Sequence, residues 1–356
     1  MRIHKWLLPA SALYGMGVRL RNWLFEENIL KSKSYREPVI CLGNLTAGGT
    51  GKTPHTEYLI KLLQQNWKVG VLSRGYKRKS KGWVLADTVT PSEMIGDEPW
   101  QMKHKFPETT VAVCEKRVIG IDHMLQLPTG QRPQVILLDD AYQHRYVKAG
   151  ISILLTRYNR LICDDRLLPA GRLREPFEER LRASIVIVTK CPTDIQPIDF
   201  RIVRNKLDLL PYQHLYFTTL QYIDLRGVFH SRQLPLTALS GAKSILLVTG
   251  IATPKLLAQD LRRWNQHIDR LAYLDHHNFT DEDIERINRQ AERHDLIVTT
   301  EKDAARLCFY QELSEHVKQH LFALRIEVHF LQDKGPEFDK IITDYVRRRN
   351  SILRMA

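Results

Sequence analysis

The run Gly43-Asn44-Leu45-Thr46-Ala47-Gly48-Gly49-Thr50-Gly51-Lys52-Thr53-Pro54 constrains this chain more than any other segment. It follows the apolar stretch Val39 to Leu42 and leads into helical spacing over residues 54–65. Glycines let successive backbone N–H groups turn towards phosphate oxygens, and a helix N-terminus beneath them favours negative charge. Lys52 is spaced to reach the β- and γ-phosphates of a nucleotide, and Thr53 to hold Mg²⁺. Pro54 falls where a helix start tolerates a missing N–H. Thr46 stands where the strict P-loop pattern has its first glycine, and GGTGKT is closer to the variant loops of GGxGKT nucleotidases. The competing reading is a glycine-rich helix cap with no ligand. Binding residues expected here are Thr46, Ala47, Gly48, Gly49, Thr50, Gly51, Lys52 and Thr53.

Short apolar runs recur at 38–42, 69–72, 110–113, 135–138, 151–155 and 185–188, with helical patterns between several of them. Alternation of this kind predicts βαβ units and a mainly parallel sheet covered by helices on both faces, an α/β fold of the P-loop NTPase type. Residues 195–240 break the rhythm with Pro197, Pro211 and Pro235 and read as a short β linker or insertion. Strand and helix patterns then resume at 244–249, 254–264, 281–293 and 296–300. The expected organisation is an N-terminal interface helix (1–25), a P-loop core (26–194), the β linker (195–240) and a smaller C-terminal α/β lobe (241–356).

The balance of 53 Lys and Arg against 40 Asp and Glu gives a net charge of +13, which suits anionic partners without choosing among them. Five separated cysteines with no CxxC pair argue against a disulfide framework or a zinc site and fit a reducing compartment. Residues 6–18 carry no charge and are bracketed by arginine and lysine. A spanning helix needs about 20 apolar residues, so this run is too short to cross a bilayer. It lacks a small-residue cleavage signature and reads as non-cleaved. Trp6, Leu7, Leu8, Leu13, Tyr14, Met16, Leu20, Trp23, Leu24 and Phe25 with their flanking arginines fit a membrane interface; the alternative is a helix packed on its own domain.

The strand-like run Val135-Ile136-Leu137-Leu138 ends in Asp139 and Asp140, the form of a Walker B segment that supplies oxygen ligands to Mg²⁺. Thr189-Lys190-Cys191-Pro192 lacks the aspartate of a guanine-reading motif, so ATP is the expected nucleotide.

Beyond the acidic pair the chain reads DDAYQH, which resembles the DDGFQH signature of tetraacyldisaccharide 4′-kinases. The same family's pattern is matched by GNLTAGGTGKTP at 43–54, SRGYKR at 73–78, GDEP at 96–99, LLPAGRLREP at 167–176, DHHNF at 275–279 and TTEKDAARL at 299–307. The resemblance covers the chain almost end to end. It implies transfer of the ATP γ-phosphate to the 4′-hydroxyl of a tetraacylated glucosamine disaccharide 1-phosphate, the lipid A precursor. It also implies a monotopic or peripheral position on the cytoplasmic face of the bacterial inner membrane, against an anionic lipid surface.

On residues alone, Gly96-Asp97-Glu98-Pro99 reads as a helix start with Asp97 as N-cap. The resemblance instead makes Asp97 the catalytic base and His276 its partner, with His277 as the rival. It further points to His144 and Arg174 beside the nucleotide and to Glu175 as support for Mg²⁺. Arg74 and Arg117 are additional candidates for phosphate or lipid contact, and TTEKDAARL is read as a structural strand-to-helix corner. A membrane-recruited P-loop switch ATPase is the alternative from another class, but its loop normally carries lysine where Ala47 stands. Nucleic-acid binding is disfavoured, because no aromatic residues are interleaved with a basic stripe.

Overall fold

A computed structural model describes residues 4–251, 254–275 and 277–355. The chain forms two units, residues 1–220 with 328–356, and residues 221–327. Eight strands serve the first: β1 (Val39–Asn44), β2 (Val69–Ser73), β3 (Val84–Leu85), β4 (Thr110–Val113), β5 (Val135–Asp139), β6 (Ile151–Arg157), β7 (Ile185–Thr189) and β8 (His214–Gly227). Their order is β8-β7-β6-β1-β5-β2-β4-β3, parallel throughout except for β3. β1, β2, β5 and β7 are buried along their whole length, which explains why they read as uninterrupted apolar runs.

The second unit holds β9 (Gln233–Pro235), β10 (Ile245–Thr249), β11 (Ile268–Ala272), β12 (Leu296–Thr300) and β13 (Leu321–Phe330). Its parallel order is β11-β10-β12-β13, and β9 lies antiparallel to the end of β8. The corner after β12 is structural: Asp303 accepts from Thr300 Oγ1 at 2.7 Å and Gly250 N at 3.0 Å.

These boundaries differ from the sequence expectation. Residues 195–240 contain a helix, Pro197–Leu207, whose proline sits at its first position behind a Gln196/Asp199 capping box, and then the long strand β8. The C-terminal helix Gly335–Met355 belongs with the first unit: Phe338, Ile342 and Val346 are fully buried in one cluster with Ile40, Leu59 and Val111, and Tyr345 Oη lies 3.2 Å from Val39 N.

The N-terminal helix Leu8–Glu26 buries Ser11, Gly15, Asn22 and Phe25, a face that is largely small or polar. Ser11 Oγ donates to Leu167 O at 3.0 Å and Asn22 Nδ2 to Glu179 Oε1 at 2.7 Å. The outward face carries Leu13, Met16, Leu20 and Trp23, all exposed, with Trp6 just before it 77% exposed. Among the described residues no helix is long and apolar enough to cross a membrane.

β1 and the segment after β5 pass so closely that a Cβ on Gly43 would lie 2.7 Å from Tyr142 Cβ and 2.9 Å from its backbone nitrogen. Gly43→Ala should therefore cost about 1–3 kcal/mol, as overpacking of a tight core does. Thermal or urea unfolding of the variant checks this; unchanged stability would mean that the two segments separate freely.

Candidate phosphate-transfer site

β1 and β5 end side by side at the carboxyl edge of the parallel sheet, where α/β folds take their ligands. From β1 the chain enters the loop and then the helix Lys52–Leu63. Gly48 (φ 121°) and Gly51 (φ 88°) adopt backbone conformations that L side chains rarely take, and a Cβ at Gly49 would meet nothing within 4 Å. The loop is held from below. Asn44 Nδ2 donates to Thr46 O at 2.8 Å, Ala47 N to Arg172 O at 2.8 Å, and Thr189 Oγ1 to Thr50 O at 2.7 Å. Thr50 Oγ1 is buried with no partner, and Thr53 is half-buried in the first helical turn.

Lys52 Nζ lies 3.4 Å from Asp140 Oδ1 and 3.5 Å from Asn44 Oδ1. Asp140 has a left-handed φ of 46° that turns its carboxylate back over the loop, where Arg174 Nη1 approaches Oδ2 at 3.9 Å. Its Oδ1 is buried without a hydrogen-bond donor. Asp139 points the other way and is almost fully buried, accepting from Thr56 Oγ1 at 3.0 Å and Ser73 Oγ at 3.2 Å. Burial, reinforced by the neighbouring charge of Asp140, pushes the Asp139 carboxyl up to about 6. His144 is pushed down to about 4, first by burial and then by Arg117, Arg74 and Arg21, so it is neutral at physiological pH; its Nε2 is buried and unpartnered.

Glu175 does not present itself to a metal. Arg21 and Arg182 each hold one of its carboxylate oxygens at 2.7 Å, and the side chain is almost wholly buried between them. Arg117 likewise is not a surface contact: it is 2% exposed and donates to the carbonyls of Cys114 at 2.9 Å and Asp139 at 3.3 Å, fixing the turn after β5. Arg74 is exposed at the end of β2. Asp97 is not the N-cap, which is Gly96 (φ 92°); it opens the helix Asp97–Lys105. That helix start lies near Asp139, whose carboxyl is raised in part by Glu98. It is also tied to the loop helix, because Gln101 Nε2 and Lys105 Nζ both reach the buried Glu57 at 2.7 Å. His276 lies outside the described residues. The rival His277 is engaged by Asp283 at 2.7 Å and stacks on Tyr273.

Sequence reading missed three residues that build this site. Gln143 Nε2 donates to Asn44 O at 2.6 Å, linking the acidic turn to the loop. His55 bridges Gly51 O (2.7 Å) and Thr218 Oγ1 (3.0 Å). Glu57 is the third, and its one available signal was a carboxylate on the buried face of a helix.

A glycine loop between a parallel strand and a helix, whose lysine faces an aspartate just past the end of the neighbouring strand, defines a P-loop nucleotide-dependent phosphotransferase. The family profile described as Tetraacyldisaccharide-1-P 4'-kinase, LpxK, matches residues 3–347. The chain belongs to that family, and it is a kinase. It is 53% identical to the tetraacyldisaccharide 4'-kinase of Phocaeicola vulgatus over 99% of this chain and 98% of that relative, and 52% identical to that of Bacteroides fragilis over 98% and 94%. A crystal structure of LpxK from Aquifex aeolicus in complex with ATP aligns with a TM-score of 0.76 at 28% identity, covering 96% of this chain and 98% of that one.

The raised Asp139 carboxyl makes stability pH-dependent. The folded protein keeps this proton up to about pH 6, whereas an unfolded aspartate releases it near pH 4. Between those values the folded state binds more protons, so this group's contribution falls as pH rises. Without nucleotide or metal, Asp139→Asn should be more stable than wild type above pH 7, with the gain shrinking towards pH 4. Melting curves across that range check it, and a gain independent of pH would refute the assignment.

Proposed function

We propose that this chain uses Mg-ATP to phosphorylate the 4′-hydroxyl of a tetraacylated glucosamine disaccharide 1-phosphate at the cytoplasmic face of a bacterial inner membrane. The observation that carries this reading is the Lys52–Asp140 pair beneath the open glycine loop, in a chain whose relatives bear that kinase name. The loop N–H groups from Gly48 to Thr53, with Lys52 and Arg174, hold the phosphates; the N–H of Ala47, expected among them, is given to Arg172 O. The donor set fits Mg²⁺: Thr53 offers a hydroxyl, Asp140 a buried oxygen without a donor, and Asp139 a carboxyl whose ionised form a nearby dication would favour. When bound, the ion neutralises charge on the β- and γ-phosphates. Glu175 supports the adjacent Arg174 by holding its segment between the guanidiniums of Arg21 and Arg182.

The acceptor oxygen attacks the γ-phosphorus, the bond to the β-phosphate oxygen breaks, ADP leaves, and the hydroxyl proton passes to Asp97. His276 enters on the sequence resemblance alone. Neutral His144 is suited to hydrogen-bond a phosphate oxygen without adding charge. The outward face of the N-terminal helix supplies a large apolar stripe on a basic protein, the pattern of interfacial attachment.

Transfer of labelled phosphate from ATP to the lipid acceptor, resolved by thin-layer chromatography, is the direct test; ATP hydrolysis with no labelled lipid would favour the switch ATPase. Lys52→Ala should lower kcat by about 10³-fold or more, and wild-type turnover would sink the loop assignment. Asp97→Asn should lower kcat by about 10² to 10⁴-fold with ATP affinity and melting temperature unchanged. Near-normal turnover would remove Asp97 as the base. Replacing Leu13, Met16, Leu20 and Trp23 together by serine should abolish co-sedimentation with anionic liposomes and leave melting unchanged, because these side chains face outward. Retained co-sedimentation would move the membrane contact elsewhere.

A further inference from the structure

The carboxyl ends of β6 and β7 carry cations that the roles above do not use. Both strands run parallel to β1 on the side away from β5, so their last residues reach the same sheet edge as the glycine loop. Arg157 and Thr189 are register partners there, and Thr189 is the residue that bonds to Thr50 O. Lys190 follows in a left-handed turn, φ 55°. Arg172 comes from the segment paired with the loop, and its Nη1 lies 3.8 Å from where a Cβ on Gly48 would stand.

Among the described residues none of these three cations pairs with a carboxylate, whereas the neighbouring Arg160 is matched by Asp165 at 3.0 Å. Arg157 Nε is buried with no hydrogen-bond partner. Burial disfavours the charge of Arg157, followed by Arg160 and Arg172; Lys190 has solvent access, yet surrounding protein and then Arg157 push it down to about 8. Cations held against one another in this way are stabilised by an anion between them. Guanidinium planes also stack on bases.

Lys52, Asp140 and Arg174 occupy the β5 side of the loop, where the γ end of a triphosphate belongs. A nucleotide lying across the loop must then leave it on the β6–β7 side. We propose that Arg157, Arg172 and Lys190 form the nucleoside end of the nucleotide site, neutralising the α-phosphate and covering the ribose and base of ATP. This rests on the reading of the glycine loop as an ATP site. Pro192 stands where a guanine-reading motif has its aspartate, so this turn lacks that carboxylate and holds its base by charge and stacking.

Calorimetric titration of the full chain with Mg-ATP and with magnesium tripolyphosphate separates the nucleoside end from the phosphate cradle. Arg157→Met, Arg172→Met and Lys190→Asn, whose asparagine tolerates the left-handed turn, should each weaken ATP about tenfold and tripolyphosphate less than about twofold. KM for ATP should rise with kcat unchanged at saturation, and Lys190→Arg should keep wild-type affinity. Unchanged ATP affinity in all three variants, or equal loss for tripolyphosphate, overturns the proposal. Melting temperatures accompany each variant, and the exposed Arg172 carries the test if Arg157→Met unfolds. A wild-type chain that binds neither ligand would instead sink the ATP reading beneath it, as would a Lys52→Ala chain that binds both normally.

Discussion

Backbone packed against backbone at Gly43 is the contact on which the rest of the site depends. Because no side chain separates β1 from the turn after β5, Tyr142 can settle against the strand and Gln143 can reach Asn44 O. That seating brings Asp140 to face Lys52. A wider gap at this one position would leave the glycine loop and the acidic turn as two neighbouring features with no shared geometry.

Electrostatics then divides the two aspartates. Asp139 is enclosed and lies beside the charge of Asp140, so its ionised form is disfavoured in spite of the hydroxyls that donate to it, while Asp140 is half-open and set among cations. Two adjacent residues of the same type thus differ in which ligand charge they tolerate. His144, kept neutral by burial and by three arginines, adds hydrogen-bonding capacity to a region already dense in positive charge.

Legibility in the sequence followed how local each determinant is. β1, β2, β5 and β7 could be read because strands buried on both faces must be continuously apolar; the places of Lys52 and Thr53 follow from a loop of fixed length after β1, and that of Asp140 from the end of the apolar run of β5. The helix Pro197–Leu207 was hidden by prolines that read as breakers, although Pro197 starts it. Nothing near Phe338 or Tyr345 says that the last helix returns to the first unit, since that is decided by the partner surface around Val39 and Ile40. Glu175 and Arg117 were misjudged for the same reason: a motif gives a residue's place along the chain, but which groups close around its side chain depends on segments far away.

The N-terminal helix is fastened to the very segment that braces the glycine loop. Tyr14 Oη donates to Arg174 O at 2.8 Å, Arg21 holds Glu175, and Arg174 N in turn donates to Leu45 O at 2.7 Å. The helix is therefore a lever with its fulcrum at residues 174 and 175. Any tilt of its outer face is delivered through two hydrogen bonds to the strand that carries the loop, and any stiffening of the loop is returned along the same linkage to the surface of the molecule.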